Sequence, residues 1–328
     1  KITQVILDKS KIKLYSSVGS RASFGLACLE LVKENKNLMV LTSDVSTSAG
    51  LDRFKSKHTE NYIDVGIAEQ NLIGVATGLS TCGYNVFTTT FAPFQTMRCL
   101  EQIKVNIGYM KKKITMVGLA SGVVLGTLGF THCCIEDISL MRTIPGMTVL
   151  SPADCGEVVK STFAAARHDG PVYIRLTGSS NNPIIYSDDY KFEIGKSIRI
   201  REGDDISIFA TGSMVYNSIK ASEILKKHNL EAAVINVHTI KPIDKETINK
   251  YSKKKKLIVT VEEHSAVGGL GSAVSETNAS LENTARQLFI SLPDKYLCGG
   301  EYLDLLKKCN LNSEGIAQSI IKNLNVKG

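Results

Sequence analysis

The stretch Asp64-Val65-Gly66-Ile67-Ala68-Glu69-Gln70-Asn71 reads as a strand ending at Gly66, then a helix with Glu69 in its first turn. Such a junction lies at the carboxyl edge of a parallel sheet, where α/β proteins bind ligands. A carboxyl group there can exchange a proton with a ligand. It can equally just complement the helix dipole, the plainer reading of a single glutamate. Two further segments bear on the choice. In TTTFAPFQTMR, Phe91 and Phe94 stand three apart at another strand-to-helix junction and offer two rings to one spot. In GTLGFTHCCIEDISLMRTIPGMTVLSPAD, a glycine-rich loop leads to His132 and then to a helix. Each motif alone is ordinary, since a phenylalanine pair usually packs a core and a loop histidine is usually just hydrogen-bonded. His132, Cys133, Cys134 and Glu136 could suggest a metal, but zinc spacing leaves two or more residues between sulfur ligands. The run Lys253 to Lys256 reads as a solvated helix end before LIVTV. It lacks the interleaved arginines and aromatics of a nucleic-acid surface, which argues against such a partner.

These residues need a scaffold. The chain has 328 residues, 43% of them hydrophobic and 22% charged, which suits two globular domains and excludes wholesale disorder. Its net charge is +7, from 39 basic and 32 acidic residues. No apolar run is long enough for a membrane helix, and the start lacks the layout of a secretory signal. The first residue is not methionine, which fits a numbering that begins inside a longer chain or after a removed tag. Eight dispersed cysteines without a C-x-x-C suit reduced thiols and a cytoplasmic location.

Strand-like runs at 38–44, 61–66, 86–90, 114–120, 148–152 and 172–176 alternate with helix candidates at 21–34, 67–81, 93–108, 135–143 and 154–168. This alternation predicts a mainly parallel sheet with helices on both faces. The polar, turn-rich residues 177–195 interrupt it. A second series follows, with strands at 205–212, 232–237 and 257–263 and helices at 213–228, 244–252 and from 270 to about 284. The fold class is therefore α/β, with two three-layer α/β/α domains over 1–185 and 196–328 and a linker at 186–195. A G-x-G-x-x-G with a downstream acidic residue is missing after the first strand, so a nicotinamide enzyme is disfavoured.

In this order, GIAEQNLIGVATGLS, the phenylalanine pair, THCCIEDISLMRTIPGMTV, HTIKPID and VTVEEHSAVGGLGSAVSE resemble the transketolase family of thiamine-diphosphate enzymes over essentially the whole chain. The resemblance implies a pyrimidine-binding domain followed by a transketolase C-terminal domain. It makes Glu69 the carboxyl that meets N1′ of the aminopyrimidine and promotes the tautomer that activates the thiazolium C2. Phe94 becomes the stacking ring, Phe91 its support, and Asp44 an acidic neighbour of the cofactor at a subunit interface. Arg21, Ser48 and Arg175 match positions that hold a substrate's terminal phosphate, and His132 one beside the donor's oxygens. Two positions depart from the family pattern: Leu128 replaces a hydroxyl-reading aspartate and Ala120 a substrate-binding histidine. Leucine cannot accept a hydroxyl proton, and burying that hydroxyl unpaired costs on the order of 1–3 kcal/mol. A donor with fewer hydroxyls than an ordinary sugar phosphate is thereby favoured.

The family holds Mg²⁺ and the diphosphate through a GDG…N motif in a preceding domain, and no GDG occurs here. The resemblance is thus to the smaller subunit of a split transketolase, whose larger partner carries the metal ligands in an α2β2 assembly. The implied reaction is transfer of a two-carbon ketol unit to an aldehyde acceptor. The alternatives are an acyloin-forming or 2-oxo-acid-using subunit, or a non-catalytic binding subunit.

Overall fold

The computed structural model describes residues 2–178 and 180–325. The first sheet takes β1 (Leu38–Thr42), β2 (Tyr62–Asp64), β3 (Asn85–Phe91), β4 (Ile114–Leu119), β5 (Thr148–Leu150) and β6 (Val172–Arg175). The second takes β7 (Ile198–Arg201), β8 (Ile206–Ala210), β9 (Ala232–Asn236), β11 (Leu257–Ser265) and β12 (Gln287–Leu292). Between β9 and β11 in the chain, β10 (Thr239–Lys241) crosses back to pair antiparallel with β5. The strand orders are β10-β5-β6-β4-β3-β1-β2 and β12-β11-β8-β9-β7. Apart from β10, and β7 against β9, all pairings are parallel. Strands such as LMVLT and ISIFA are buried at every position because helices cover both faces, which explains their largely apolar runs. The two α/β units share a core: one apolar cluster joins Met39, Leu72 and Met116 to Phe209, Ile235 and Ile258.

Several elements differ from the sequence expectation. The first helix runs over Lys9–Glu34 and is broken at Gly19 (φ 85°). Asp8 starts it by accepting from the Lys11 amide. The helix expected at 93–108 is a series of short pieces: Ala92–Gln95, a 3₁₀ turn at Met97–Cys99, Leu100–Gln102 and a π-helix at Ile103–Tyr109. Along it, Thr96 strays to φ −112°, ψ −76°, and Cys99 leaves the helical region at φ −108°, ψ 12°. The helix from 270 ends at Asn278, and further helices cover Tyr302–Lys308 and Ser313–Asn325.

Residues 177–195 carry neither helix nor strand among those described, yet they are strapped down. The Asp154 carboxyl caps the helix Cys155–Arg167 and accepts from the amides of Ile185 (2.9 Å) and Tyr186 (3.2 Å). Tyr190 donates to Glu157 (2.7 Å), and Lys160 binds the Asp189 carboxylate and the Tyr190 carbonyl, each at 2.7 Å.

Candidate active site

Asp44, Gly66, Phe91 and Ala120 mark the carboxyl ends of β1, β2, β3 and β4, so four adjacent strands deliver their following loops to one rim. Gly66 (φ 71°) turns the chain sharply out of β2, and Ala68 bonds its amide to the Ser43 hydroxyl (3.1 Å). The helix Glu69–Thr81 starts there, and Glu69 is only 5% exposed. Its carboxylate meets the Arg98 guanidinium at 2.8 Å. The same guanidinium lies over the Phe94 ring, 4.0 Å from its centroid. Phe91 and Phe94 pack edge to face at 6.3 Å, and His132 stands edge-on to both, at 6.1 and 5.4 Å. Glu69, Phe91, Phe94 and His132 are thus brought together from three separate loops. Beside them opens a cleft of about 340 Å³ lined by Phe94, Arg98, Phe130, Thr131, Glu136 and Tyr296.

The loop carrying His132 is held by the second α/β unit. Gly122 (φ 70°) approaches Glu263 so closely that a Cβ would fall 2.1 Å from its Oε1. The next amide, Val123, donates to that same carboxylate oxygen (2.8 Å). Further along, the Gly300 amide donates to the Gly126 carbonyl (3.0 Å). Ala120 is buried with φ 52°, an uncommon conformation for a residue with a Cβ, and Leu128 is 56% exposed. Cys133 and Cys134 are buried, and burial pushes their thiols up, that of Cys133 to about 11. Neutral buried thiols are poor ligands and nucleophiles. No metal-binding cluster of His, Cys, Asp or Glu occurs among the described residues. Burial also raises the pKa of Glu136, which accepts from the Ile135 amide (2.8 Å).

The residues expected to hold a phosphate do not behave alike. Arg21 is half-buried, and burial lowers its pKa. The loop bearing Ser48 ends at Gly50, which packs against the backbone of Arg21 and Ala22. Asp44 is exposed at φ 56°, and its amide donates to Asp64 (2.9 Å). Arg175 is a correction. It is 1% exposed, with Nε on both Asp137 oxygens (3.0 and 2.9 Å) and Nη2 on the Glu263 carbonyl (2.6 Å). Tyr173 adds a hydrogen bond to Asp137 (2.7 Å). A guanidinium so enclosed is a strut between β6, the helix Asp137–Thr143 and β11, and it is not open to a substrate anion. Sequence reasoning missed Asp137 and Glu263 as its partners, and it missed Arg98. The last had a signal, because Arg98 stands four residues after Phe94, the spacing at which side chains on one helical turn meet.

A buried carboxyl beside aromatic faces and an open cleft suits a flat, nitrogen-containing ring, which the carboxyl can hydrogen-bond while a ring stacks on it. Residues 16–182 match the family model of the transketolase pyrimidine-binding domain, and residues 195–316 that of the transketolase C-terminal domain. The chain belongs to the transketolase family. It is 38% identical over 308 residues to a putative transketolase C-terminal section of Methanocaldococcus jannaschii, covering 93% of this chain and 96% of that one. With one of the subunits of the apulose-4-phosphate transketolase of Phocaeicola vulgatus it shares 33% identity, over 93% and 97% of the two chains. A solved structure described as a split gene transketolase, inactive beta4 tetramer, superimposes with a TM-score of 0.85 at 35% identity. That match covers 95% of this chain and all of the other.

Proposed function

We propose that this chain is the smaller subunit of a split, thiamine-diphosphate-dependent transketolase that moves a two-carbon ketol unit from a donor to an aldehyde acceptor. The observation that carries the reading is the buried Glu69 carboxylate beside Phe94, Phe91 and His132 at the carboxyl edge of the first sheet. Relatives of nearly the same extent, named as a section or as one subunit of a transketolase, support it. Thiamine diphosphate, when bound, supplies the carbon nucleophile of the reaction. This chain's part is to grip the aminopyrimidine: Glu69 holds a proton at its N1′, Phe94 stacks on the ring, and Phe91 fixes Phe94. Asp44 stands at the rim, where a second subunit would meet the cofactor. His132 faces the donor's oxygens, and Arg21 with Ser48 takes the substrate's distal anion.

The Mg²⁺ and diphosphate ligands belong, in this reading, to a larger partner chain in an α2β2 assembly. Domain limits at 1–185 and 196–328, joined by 186–195, are part of the same proposal. No helix among the described residues is long and apolar enough to cross a membrane. All eight cysteines are free, which supports a reducing, cytoplasmic setting. The test is Glu69→Gln in the reconstituted two-chain enzyme. Assembly should persist, while exchange of the cofactor's C2 proton and ketol transfer both fall by about 100-fold or more, in the range typical of losing a proton-transfer group. Unchanged exchange would remove Glu69 from the chemistry.

A further inference from the structure

Arg98 contacts both residues assigned above to the aminopyrimidine, Glu69 and Phe94. Its guanidinium is planar and nitrogen-rich, it pairs with Glu69 at 2.8 Å, and it covers the face of Phe94 at 4.0 Å. A carboxylate as buried as Glu69 is costly without a partner, and the Arg98 guanidinium supplies one. We infer that Arg98 is a placeholder that holds the pyrimidine site closed and must swing out before the cofactor ring can enter, an inference that rests on the reading of Glu69 and Phe94 as pyrimidine ligands.

The backbone and the surroundings permit such a movement. Arg98 lies in a 3₁₀ turn between two residues outside ideal helical geometry, Thr96 (φ −112°, ψ −76°) and Cys99 (φ −108°, ψ 12°). Its side chain is 44% exposed, so one side already faces outward. It also lines a second, larger groove of about 650 Å³ that carries Gln70, Glu101 and Gln102. Glu101 offers the released guanidinium another carboxylate. Closure by Arg98 lowers apparent affinity by the fraction of molecules in which the site is open.

The probe is thiamine, titrated by calorimetry into the full-length chain at up to millimolar concentration and paired with thermal melts. Arg98→Ala should bind thiamine about tenfold more tightly than the wild type, as expected if roughly nine molecules in ten are closed. Without thiamine it should melt at a lower temperature, because Glu69 loses its partner. Arg98→Gln keeps a hydrogen-bonding group without charge, and should fall between the two in both readings. Adding Glu69→Gln to Arg98→Ala should abolish the gain. Arg98→Ala binding no tighter than the wild type, including binding by neither protein, overturns the placeholder. If in that case Glu69→Gln alone still weakens binding, the role of Glu69 stands and only the placeholder falls. A gain from Arg98→Ala that survives Glu69→Gln rejects the assignment of Glu69, and the placeholder with it.

Discussion

Leu128 sits four residues before His132 on the same loop, and its 56% exposure means that no packing requirement dictates an apolar side chain there. Its neighbourhood is apolar too, since Phe130 packs against Tyr296 at 5.4 Å. Ala120, buried at the start of the loop, offers no polar atom of its own side chain. Under the proposed function, a heavily hydroxylated donor would find no side-chain partner at these two positions, at on the order of 1–3 kcal/mol for each hydroxyl buried. Leu128→Asp should raise kcat/KM for xylulose 5-phosphate in the reconstituted enzyme by about tenfold, the equivalent of one such hydrogen bond, and lower it for the native donor. Exposure makes the exchange safe for folding, so the assay reads specificity. An unchanged donor preference across a panel would show that the position does not read the donor. Glu69, Phe91, Phe94 and His132 stood out by residue type and place after strands, each ordinary alone; only the family resemblance assigned them roles, and the structure brings them together. Arg175 was misread because its partner Asp137 lies 38 residues earlier, and nothing in either local sequence announces the pairing.

Strand β11 shows what an element can do that a residue cannot. All nine of its positions are buried, and its end carries Glu262, Glu263 and His264 into the junction between the two α/β units. Glu262 accepts from the amides of Leu270 (2.7 Å) and Gly271 (2.8 Å) at the start of the next helix, while Glu263 binds the Val123 amide, Ser213 and Tyr302. The His264 ring uses both nitrogens in its neutral form: Nδ1 donates to the Ser265 carbonyl (2.7 Å) and Nε2 accepts from the Ser139 amide (3.3 Å). Burial lowers its pKa to about 4, and the carboxylate of Asp137 opposes this only partly. Between about pH 6.5 and 4 the unfolded chain therefore binds a proton that the folded chain refuses. Stability from this histidine is complete above about pH 6.5 and is lost as the pH falls. In urea unfolding the wild type should lose on the order of 2 kcal/mol more than His264→Asn between pH 7 and pH 5; equal changes in both proteins would refute it. The alternation of elements was readable in the sequence because buried parallel strands are largely apolar, β-prone runs. The pieces at 92–109 were not, since the backbone departures at Thr96 and Cys99 leave no mark in the apolar periodicity. Nor was β10, a three-residue strand fixed only by its distant partner β5.

At the scale of the whole molecule, the rim of the site leaves apolar side chains in water. Ile67, two residues before Glu69, is 78% exposed, and Met97 beside Arg98 is 46% exposed. Large apolar groups left in water around a candidate site suit contact with another subunit. The pyrimidine grip proposed here also accounts for only one end of an elongated cofactor whose other end is a diphosphate needing oxygen ligands and Mg²⁺. Both features point to a catalytic unit completed at an interface, and the related beta4 tetramer is itself described as inactive. The isolated chain should therefore be inactive in ketol transfer and bind thiamine diphosphate weakly, with or without Mg²⁺. Mixed with a larger chain carrying the metal ligands, it should form an α2β2 particle by light scattering and regain activity at two sites. Calorimetry on the isolated chain decides the matter. Mg²⁺-dependent binding with a Kd near or below about 1 μM, equivalent to about 8 kcal/mol, would mean that one chain already holds both ends of the cofactor, and the split-site reading would fall.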